Sequence, residues 1–323
     1  MRERSLVGKA DFQSYYGKPI IKEPVWKPEI PAYFFFGGMA GASSLLALGA
    51  RLTGNERLRF RAGLLSGLGV AVSPVLLIKD LGRPARFHHM LRVFKVTSPM
   101  SVGTWILQVA GGASGTAAAL DVLGLYPRLR TTAEVVAGTL GAPLSTYTGA
   151  LVAQSAVPAW HEARRELPLI FGASSAASAG GMLSLLVPPA DARPARRLAL
   201  LGAVTELAAE QAMERRLGFL AEPYHKGTAG GYAKLAKKAT ATGAGLLALT
   251  GRHRLGAGLG GALLVAGSAL TRWAVYEAGK ASAADPEYTV RAQRDRLAAG
   301  ERARTVPARA EQPGTWTPAE KSA

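Results

Sequence analysis

The chain contains no cysteine and only five histidines among its 323 residues. Without cysteine it cannot form a disulfide, use a thiolate nucleophile, or hold an iron–sulfur cluster or a c-type haem. A membrane haem b needs paired histidines that face each other across a helix bundle. The histidines instead lie in loops or at the ends of apolar segments: His88, His89, His161, His225 and His253. We therefore expect no haem and no iron–sulfur cluster in this chain, and any such electron carrier belongs to a partner.

Charged residues are scarce over long stretches of the sequence. Lys, Arg, Asp and Glu make up 19% of the chain, and they crowd between apolar runs that carry almost none. The formal net charge of +17 is high enough for a nucleic-acid-binding protein. Because the positive charges flank apolar segments, they indicate membrane-interface anchors and topology signals, and we expect no nucleic-acid partner.

Eight apolar segments are long enough for a membrane-spanning helix, which takes about 20 mostly apolar residues. The sixth is interrupted by Glu206, Glu210 and Glu214, and the seventh begins with three lysines. They predict an all-α polytopic membrane protein, with a transmembrane domain over residues 31–278, a polar segment over 1–30 and a polar, flexible tail over 279–323. The segments, numbered span 1 to span 8, are 31–52, 60–78, 99–123, 132–158, 167–187, 197–220, 232–250 and 255–276.

The predicted helices are unusually rich in glycine and alanine, as in GGMAGAS, AGGASGTAAA and GAGLGGALL. Small residues let helix backbones approach closely, which compensates for the absence of a hydrophobic force between helices in lipid. A soluble, alanine-rich helical protein is the alternative. Spans 1, 3 and 5 lack the polar face that such a protein requires, so we expect a bundle in a lipid bilayer.

Basic residues are distributed unevenly between the two ends predicted for the bundle. An even number of spans places both termini on one side. That side, with the loops after spans 2, 4 and 6, carries 28 of the 39 Lys and Arg residues, and the two tails account for most of the excess. Since positive charge favours the cytoplasmic side, we expect a multi-pass protein of the plasma (inner) membrane with both termini in the cytoplasm.

The loop after span 2 is the most distinctive segment of the chain. It reads DLGRPARFHHM from Asp80 and continues to TSPMSVGTW at Thr97. Asp80 can cap a turn, Gly82 permits a tight bend, and Pro84 suits the start of a short helix. The pattern predicts an amphipathic helix over residues 85–93 in the plane of the membrane interface. An ordinary amphipathic connector between two spans explains the same residues.

The motifs DLGRPARF and TSPMSVGTW resemble the NrfD family, whose best-known members are membrane subunits of polysulfide reductases. The segment from Tyr16 to Gly41 and the exit of span 8 from Arg272 to Pro286 resemble the same family, so that the likeness covers most of residues 15–290. The resemblance implies a quinone-reactive membrane anchor that docks a ferredoxin-like [4Fe–4S] subunit. That subunit often connects to a molybdopterin oxidoreductase, such as polysulfide reductase or formate dehydrogenase.

The resemblance also implies where menaquinone or ubiquinone binds, namely between the start of the first helix and part of the fourth. Tyr33 stands where relatives can carry a histidine that bonds the quinone, and Ile30 stands where an amide is expected. Tyr147 resembles a fourth-helix tyrosine in the same role. Gln154 and His161, closer to the following loop, are further quinone-binding candidates.

The tyrosine assignments agree with elementary chemistry. A quinone carbonyl that gains electrons needs a donor aimed at its developing negative oxygen, and a phenol hydroxyl in a dry site is such a donor. Each tyrosine has the alternative role of an interfacial or packing aromatic residue. His161 equally fits an interfacial position.

The DLGRPAR segment is the predicted docking site for the iron–sulfur partner. Its guanidinium groups are fork-shaped donors for carboxylates on a partner surface. The segment lies on the same predicted side as the entrance of span 1. The docking candidates are Asp80, Gly82, Arg83, Pro84 and Arg86.

Two acids within span 6 suggest a proton relay. Glu206 and Glu210 stand one helical turn apart, and acids inside a membrane are costly and usually functional. The alternative is that span 6 is short or displaced, which leaves Glu210 and Glu214 near the surface beside Arg215 and Arg216. Asp121, at the far end of span 3, is expected to be a solvated end residue.

Three functions remain open from the sequence. The first is the quinone-linked anchor of an iron–sulfur oxidoreductase. The second is a small-molecule or ion permease, although the sequence shows no inverted repeat or paired broken helices that mark a midplane site. The third is a redox-inert scaffold that tethers a complex to the membrane.

Overall fold

The computed structural model describes residues 19–81 and 83–298, and these residues form helices and connecting turns without a strand. Two short 3-10 helices cover Pro84–Arg86 and Gly218–Tyr224. The α-helices are α1 (Glu29–Leu52), α2 (Glu56–Asp80), α3 (Phe87–Met90), α4 (Pro99–Leu123), α5 (Pro127–Thr139), α6 (Gly141–Ala153), α7 (Pro158–Glu162), α8 (Leu167–Leu186), α9 (Arg193–Leu217), α10 (Gly227–Thr250), α11 (Arg254–Ala284) and α12 (Pro286–Ala298).

Six of the described helical segments are long and apolar enough to cross a membrane: α1, α2, α4, the α5–α6 pair, α8 and α11. The all-α polytopic fold is therefore confirmed. Helices α9 and α10 carry too many charged residues to count among these six segments. The predicted number of eight spans therefore stays a prediction. Both helices nevertheless pack lengthwise on the others, α9 on α8 and α10 on α11.

The start and the end of α4 illustrate how local signals set a helix. The Ser98 hydroxyl accepts a hydrogen bond from the Ser101 amide, and Pro99 occupies the first turn, where no N–H is needed. Gly124 ends the helix with φ 66°, a left-handed conformation that favours glycine. The observed bounds of α4 are those predicted for span 3.

Span 4 differs from its prediction because it is broken. It is made of α5 and α6, which meet at Leu140, and it ends at Ala153 rather than at residue 158. Pro143 has no N–H for the preceding turn, which weakens the helix at this point. The Ser44 hydroxyl of α1 donates to the Ala137 carbonyl at 3.0 Å and so ties α1 to the break.

Helices α1 and α6 approach each other closely beside this break. A β-carbon on Gly141 would lie only 2.4 Å from the Gly41 carbonyl oxygen. This contact requires glycine, as expected for a bundle packed through small residues. Helices α1 and α8 contribute the largest buried share of their length, so they form the centre of the bundle.

The end of the bundle where α1 begins and α2 ends is called the near end, and the opposite end is called the far end. A buried ion network lies at the far end. The Arg59 guanidinium binds Asp121 at 2.9 and 3.0 Å and also donates to Glu134. Arg130 binds Asp121 at 2.7 Å, and Arg51 donates to Glu134. The expectation of a solvated Asp121 is therefore wrong, because α1, α2 and α5 bring arginines to this pair of acids.

The predicted flexible tail begins too early. Helix α11 continues to Ala284, and α12 follows to Ala298. Tyr288 of α12 is buried, stacks on Phe219 with ring centroids 5.2 Å apart, and donates to the Glu222 carboxylate at 3.1 Å. Burial and this carboxylate raise the pKa of the Tyr288 hydroxyl to about 12, so the phenol remains a donor near neutral pH. Residues 1–18 and 299–323 lie outside the described residues.

Candidate functional site

A cavity of about 190 Å³ lies at the near end between α1, α2, α4 and α6. Most of its lining is apolar, including Ile30, Leu77 and Leu107. The polar side chains that line it are Tyr33, Asp80, Thr104 and Tyr147. A small number of convergent polar groups in an apolar pocket is typical of a site for a small organic ligand.

The two tyrosines predicted from the sequence meet in this cavity. Tyr33, one turn into α1, is 3% exposed, and Tyr147 lies midway along α6. Among the described residues neither hydroxyl has a hydrogen-bond partner, whereas buried hydroxyl groups are normally paired. Both phenols are therefore available to donate to a ligand in the cavity.

The other two polar side chains are already engaged. Asp80 accepts a hydrogen bond of 3.0 Å from the Lys27 amide, which holds the segment before α1 against the end of α2. The Thr104 hydroxyl donates to the Met100 carbonyl at 2.8 Å within α4. Asp80 thus lines the cavity and anchors its wall, besides belonging to the predicted docking segment.

Trp26 contributes an aromatic wall to the cavity at the near end, and other aromatic side chains hold it in place. Trp26, which lines it, stacks on Trp160 with ring centroids 5.4 Å apart, and the Tyr276 hydroxyl donates to the Trp26 carbonyl. Trp160 is held in turn by a hydrogen bond of 2.7 Å from its indole N–H to the Val275 carbonyl. Sequence reasoning assigned no role to Trp26 or Trp160, although Trp26 stands within the motif region.

A second cavity of about 230 Å³ adjoins the first between α2, α3 and α4. The second cavity is almost entirely apolar, and Phe87 and Leu91 contribute to it. It extends the first cavity outward along the periphery of the bundle as an apolar groove. The two cavities share five lining residues, which form their common wall: Leu77, Leu81, Met90, Thr104 and Leu107.

The connector between α2 and α4 is fastened by the TSPMSVGTW motif. The Ser101 hydroxyl donates to the Val93 carbonyl at 2.8 Å and accepts from the Lys95 amide at 2.9 Å. The Trp105 indole also donates to Val93, at 3.2 Å. The connector is helical over residues 84–90, so the predicted helix over 85–93 is too long, and its last residues bind the start of α4 instead.

The structure describes only some of the residues of the connector that are predicted to dock the partner. Arg83 and Pro84 are exposed at the near end, and Pro84 begins the 3-10 helix. Gly82 and the side chain of Arg86 lie outside the described residues. The exposed positions agree with a surface that a partner can reach.

Gln154 and His161 are not brought to the cavity. Helix α6 ends at Ala153, and Gln154 is exposed at its end. His161 is exposed on α7, a separate short helix that begins at Pro158. The break after Ala153 ends the helical register that would have aligned both residues with Tyr147.

The predicted relay acids are buried in a second polar cluster, formed by α8, α9 and α11. Glu206 is 1% exposed and accepts a hydrogen bond of 2.8 Å from the Thr271 hydroxyl, and Glu210 is 9% exposed. Arg272 of α11 interacts electrostatically with both acids. The alternative in which Glu210 lies near the surface is thus not what the structure shows.

Arg272 is the residue that sequence reasoning missed in this cluster, because its charge was counted only among the basic residues on the side of the termini. Arg272 is 1% exposed, and its guanidinium donates to the Phe171 carbonyl at 2.7 Å and to the Ser175 hydroxyl at 3.0 Å. It also lies 4.0 Å from the centroid of the Phe171 ring. Its position at the end of an apolar run gave no sign of burial, since arginine at the end of a span is usually interfacial.

The acids continue toward the near-end surface. Glu214, one turn after Glu210, binds the Lys237 ammonium at 2.5 Å and lies 3.7 Å from the His225 ring. Lys237 also interacts electrostatically with Glu210. Glu206, Glu210 and Glu214 therefore form an acidic stripe along α9 that leads from the centre of the bundle to an exposed histidine.

An aromatic contact separates this cluster from the tyrosine cavity. Phe171, which touches Arg272, has its ring centroid 5.8 Å from that of Phe34, and Phe34 lies 5.7 Å from Tyr33. The acidic stripe and the cavity are thus neighbouring features joined through apolar rings.

Together these features define a polytopic helical membrane protein with an internal cavity that presents two phenol donors. The family model described as "Polysulphide reductase, NrfD" matches residues 20–215, which include the whole lining of the cavity. The chain belongs to the NrfD family, as its motifs suggested. Membrane subunits of this family are in general quinone-interacting anchors of oxidoreductase complexes. No curated protein matches the sequence.

Proposed function

We propose that this chain is the quinone-reactive membrane subunit of a multi-subunit oxidoreductase. It exchanges electrons between the [4Fe–4S] clusters of a ferredoxin-like partner and menaquinone or ubiquinone. The observation that carries the proposal is that Tyr33 and Tyr147 line the same apolar cavity, and that neither hydroxyl has a hydrogen-bond partner in the described part of the chain.

The quinone head group occupies the tyrosine cavity. As a quinone gains electrons, negative charge develops on its carbonyl oxygens, and a hydroxyl donor fixed in a dry site stabilises that charge. Tyr33 and Tyr147 supply such donors from α1 and α6. The apolar lining excludes water and strengthens both hydrogen bonds.

The isoprenoid tail lies in the adjoining apolar groove. The two cavities adjoin along their common wall, so the head group and the tail of one molecule can occupy them together, and the groove is walled by α2, α4 and the connector. A substrate dissolved in the bilayer thus reaches the cavity from the side, without crossing a polar surface.

The iron–sulfur partner docks at the near end on Asp80, at the end of α2, and on the connector that follows it and contains Arg83. This places its clusters on the side of the bundle where the cavity lies, separated from it by the aromatic layer of Trp26 and Trp160. A molybdopterin subunit of the polysulfide reductase or formate dehydrogenase type completes the complex. Both termini and this docking face lie in the cytoplasm.

The acidic stripe of α9 serves as a proton relay. Quinone reduction consumes protons, and Glu206 and Glu210 lead from the centre of the bundle toward Glu214 and the exposed His225. Glu206→Gln keeps the acceptor for Thr271 but removes the titratable group. We expect it to slow quinone reduction while the complex stays assembled.

Purification from native membranes tests the proposal. We expect a cluster-bearing subunit to co-isolate with the chain, and menaquinone or ubiquinone to be extracted from the purified complex. A permease would be isolated without an iron–sulfur subunit. A redox-inert scaffold would carry the subunit but neither bind nor reduce quinone.

A further inference from the structure

The far end of the bundle carries a cavity lined by arginines, opposite to the tyrosine cavity. Its volume is about 610 Å³, and among the described residues no acidic side chain lines it. Pro189 and Ala190 of the α8–α9 loop form part of its wall. Its charged lining consists of Arg193, Arg196 and Arg197 at the start of α9 and Arg252 in the turn between α10 and α11.

The arginines of this cavity lack a counter-charge, unlike four other arginines at the same end. Within the described residues none of the four cavity arginines pairs with a carboxylate. The nearest acid in sequence, Asp191, is engaged by Arg57 at 3.1 Å. The far-end arginines outside the cavity that do pair with a carboxylate are Arg51, Arg57, Arg59 and Arg130.

The cavity is nevertheless held in shape. The Arg196 guanidinium donates to the Pro189 carbonyl at 2.6 Å, which fixes it against the α8–α9 loop. Arg193 and Arg252 lie close enough to Arg196 for their charges to repel it. Like charges gathered in one cavity are stabilised when a bound anion neutralises them, so the arrangement indicates an anionic ligand.

Exposed apolar side chains surround the cavity, as expected for a site that binds a lipid. Exposed apolar side chains continue from Arg197 and Arg252 along the helices toward the middle of the bundle. Leu201 stands one turn after Arg197 and is 66% exposed. Leu249 and Leu255, three residues before and after Arg252, are 86% and 82% exposed. A phosphate at the arginines would therefore have its acyl chains against these leucines.

We propose that this arginine cavity binds the phosphate of an anionic phospholipid whose acyl chains cover the exposed leucines of α9, α10 and α11. Arginine suits this role because its planar guanidinium binds phosphate oxygens in a bidentate manner. Basic pockets between membrane helices bind anionic head groups in this way. A free phosphate ion shares the head-group chemistry but does not use the leucines.

Native mass spectrometry of the purified protein tests the proposal, with phosphatidylglycerol as the probe and phosphatidylcholine as the neutral comparison. Arg193→Gln with Arg252→Gln should weaken phosphatidylglycerol binding by about 30-fold, since each arginine near a membrane surface contributes about 1 kcal/mol. The control pair Arg61→Gln with Arg128→Gln removes the same charge from exposed far-end positions outside the cavity. We expect it to leave the affinity unchanged.

Two results would overturn the proposal. One is equal weakening by both pairs, which indicates a diffuse charge effect. The other is displacement of the lipid by excess inorganic phosphate, which indicates a site for the free ion. If the double variant yields no monodisperse protein, the single Arg252→Gln, in an exposed turn, should weaken binding by about fivefold, and an unchanged affinity contradicts the site.

Discussion

A β-carbon placed on Gly103 would lie 2.4 Å from Cε2 of Tyr147. The glycine of the TSPMSVGTW motif on α4 thus leaves the space that the Tyr147 ring of α6 occupies. In the same motif Ser98 caps α4, Ser101 binds the connector and Thr104 lines the cavity. The motif therefore shapes the cavity wall rather than forming a surface of its own.

Gly103→Ala should displace the Tyr147 ring and lower quinone turnover by about 10²-fold, as expected when a donor to a developing oxyanion is lost. The crowding itself typically costs about 1–3 kcal/mol of stability. Gly115→Ala is the matched control, because a β-carbon there meets nothing within 4 Å. Equal turnover in the two purified variants would show that Gly103 does not position Tyr147.

Arg272→Met should lower the free energy of unfolding by about 3–5 kcal/mol, because it leaves Glu206 buried without its compensating charge. Adding Glu206→Gln should restore part of that loss, since neither charge then remains unpaired. Thermal denaturation in detergent measures both effects. A double variant that is less stable than Arg272→Met alone would rule out this charge compensation.

Arg83→Ala together with Arg86→Ala should release the iron–sulfur partner during purification while the membrane subunit stays folded. Both guanidinium groups are proposed to bind carboxylates on the partner. Arg61→Ala with Arg128→Ala, at the far end, provides the control. Full retention of the partner after the near-end changes, in salt and mild detergent, would place the docking surface elsewhere.

Both termini should lie in the cytoplasm, because the termini and the loops after spans 2, 4 and 6 carry 28 of the 39 Lys and Arg residues of the sequence. Burial of Arg272 removes one of the counted charges, yet the excess remains. A fluorescent green-fluorescent-protein fusion after Ala323, without alkaline phosphatase activity in the matching fusion, is the expected result. Active phosphatase and a dark fluorescent fusion would reverse the orientation.

The sequence predicted helix positions well where apolar length and end signals coincide, as at Pro99 and Gly124 of α4. The sequence did not predict the break at Leu140. A membrane helix can contain a proline and only bend there, and the packing on α1 that accompanies the break is not visible in the sequence. Arg272 and Asp121 were misjudged for a related reason. Charges near a predicted span end are usually solvated, and only the partners supplied by other helices show that these two are buried.

The candidate site was predictable only through the family resemblance. Neither composition nor periodicity indicates that Tyr33 and Tyr147, which stand in different helices, line the same cavity. Gln154 and His161 were placed near Tyr147 by extending one helix past its real end. Trp26 was not predicted to line the cavity, because nothing in the sequence distinguishes an apolar residue that lines a cavity from the many other apolar residues of the chain.

The most direct test of the proposed quinone site is the turnover of quinone by the purified complex that carries Tyr147→Phe. This change removes the hydroxyl and keeps the ring, so we expect an intact complex whose quinone turnover falls by about 10²–10³-fold. Tyr126→Phe, an exposed tyrosine at the far end, should leave turnover unchanged. An assembled Tyr147→Phe complex with the turnover of the Tyr126→Phe control would contradict the assignment of the cavity as the quinone site.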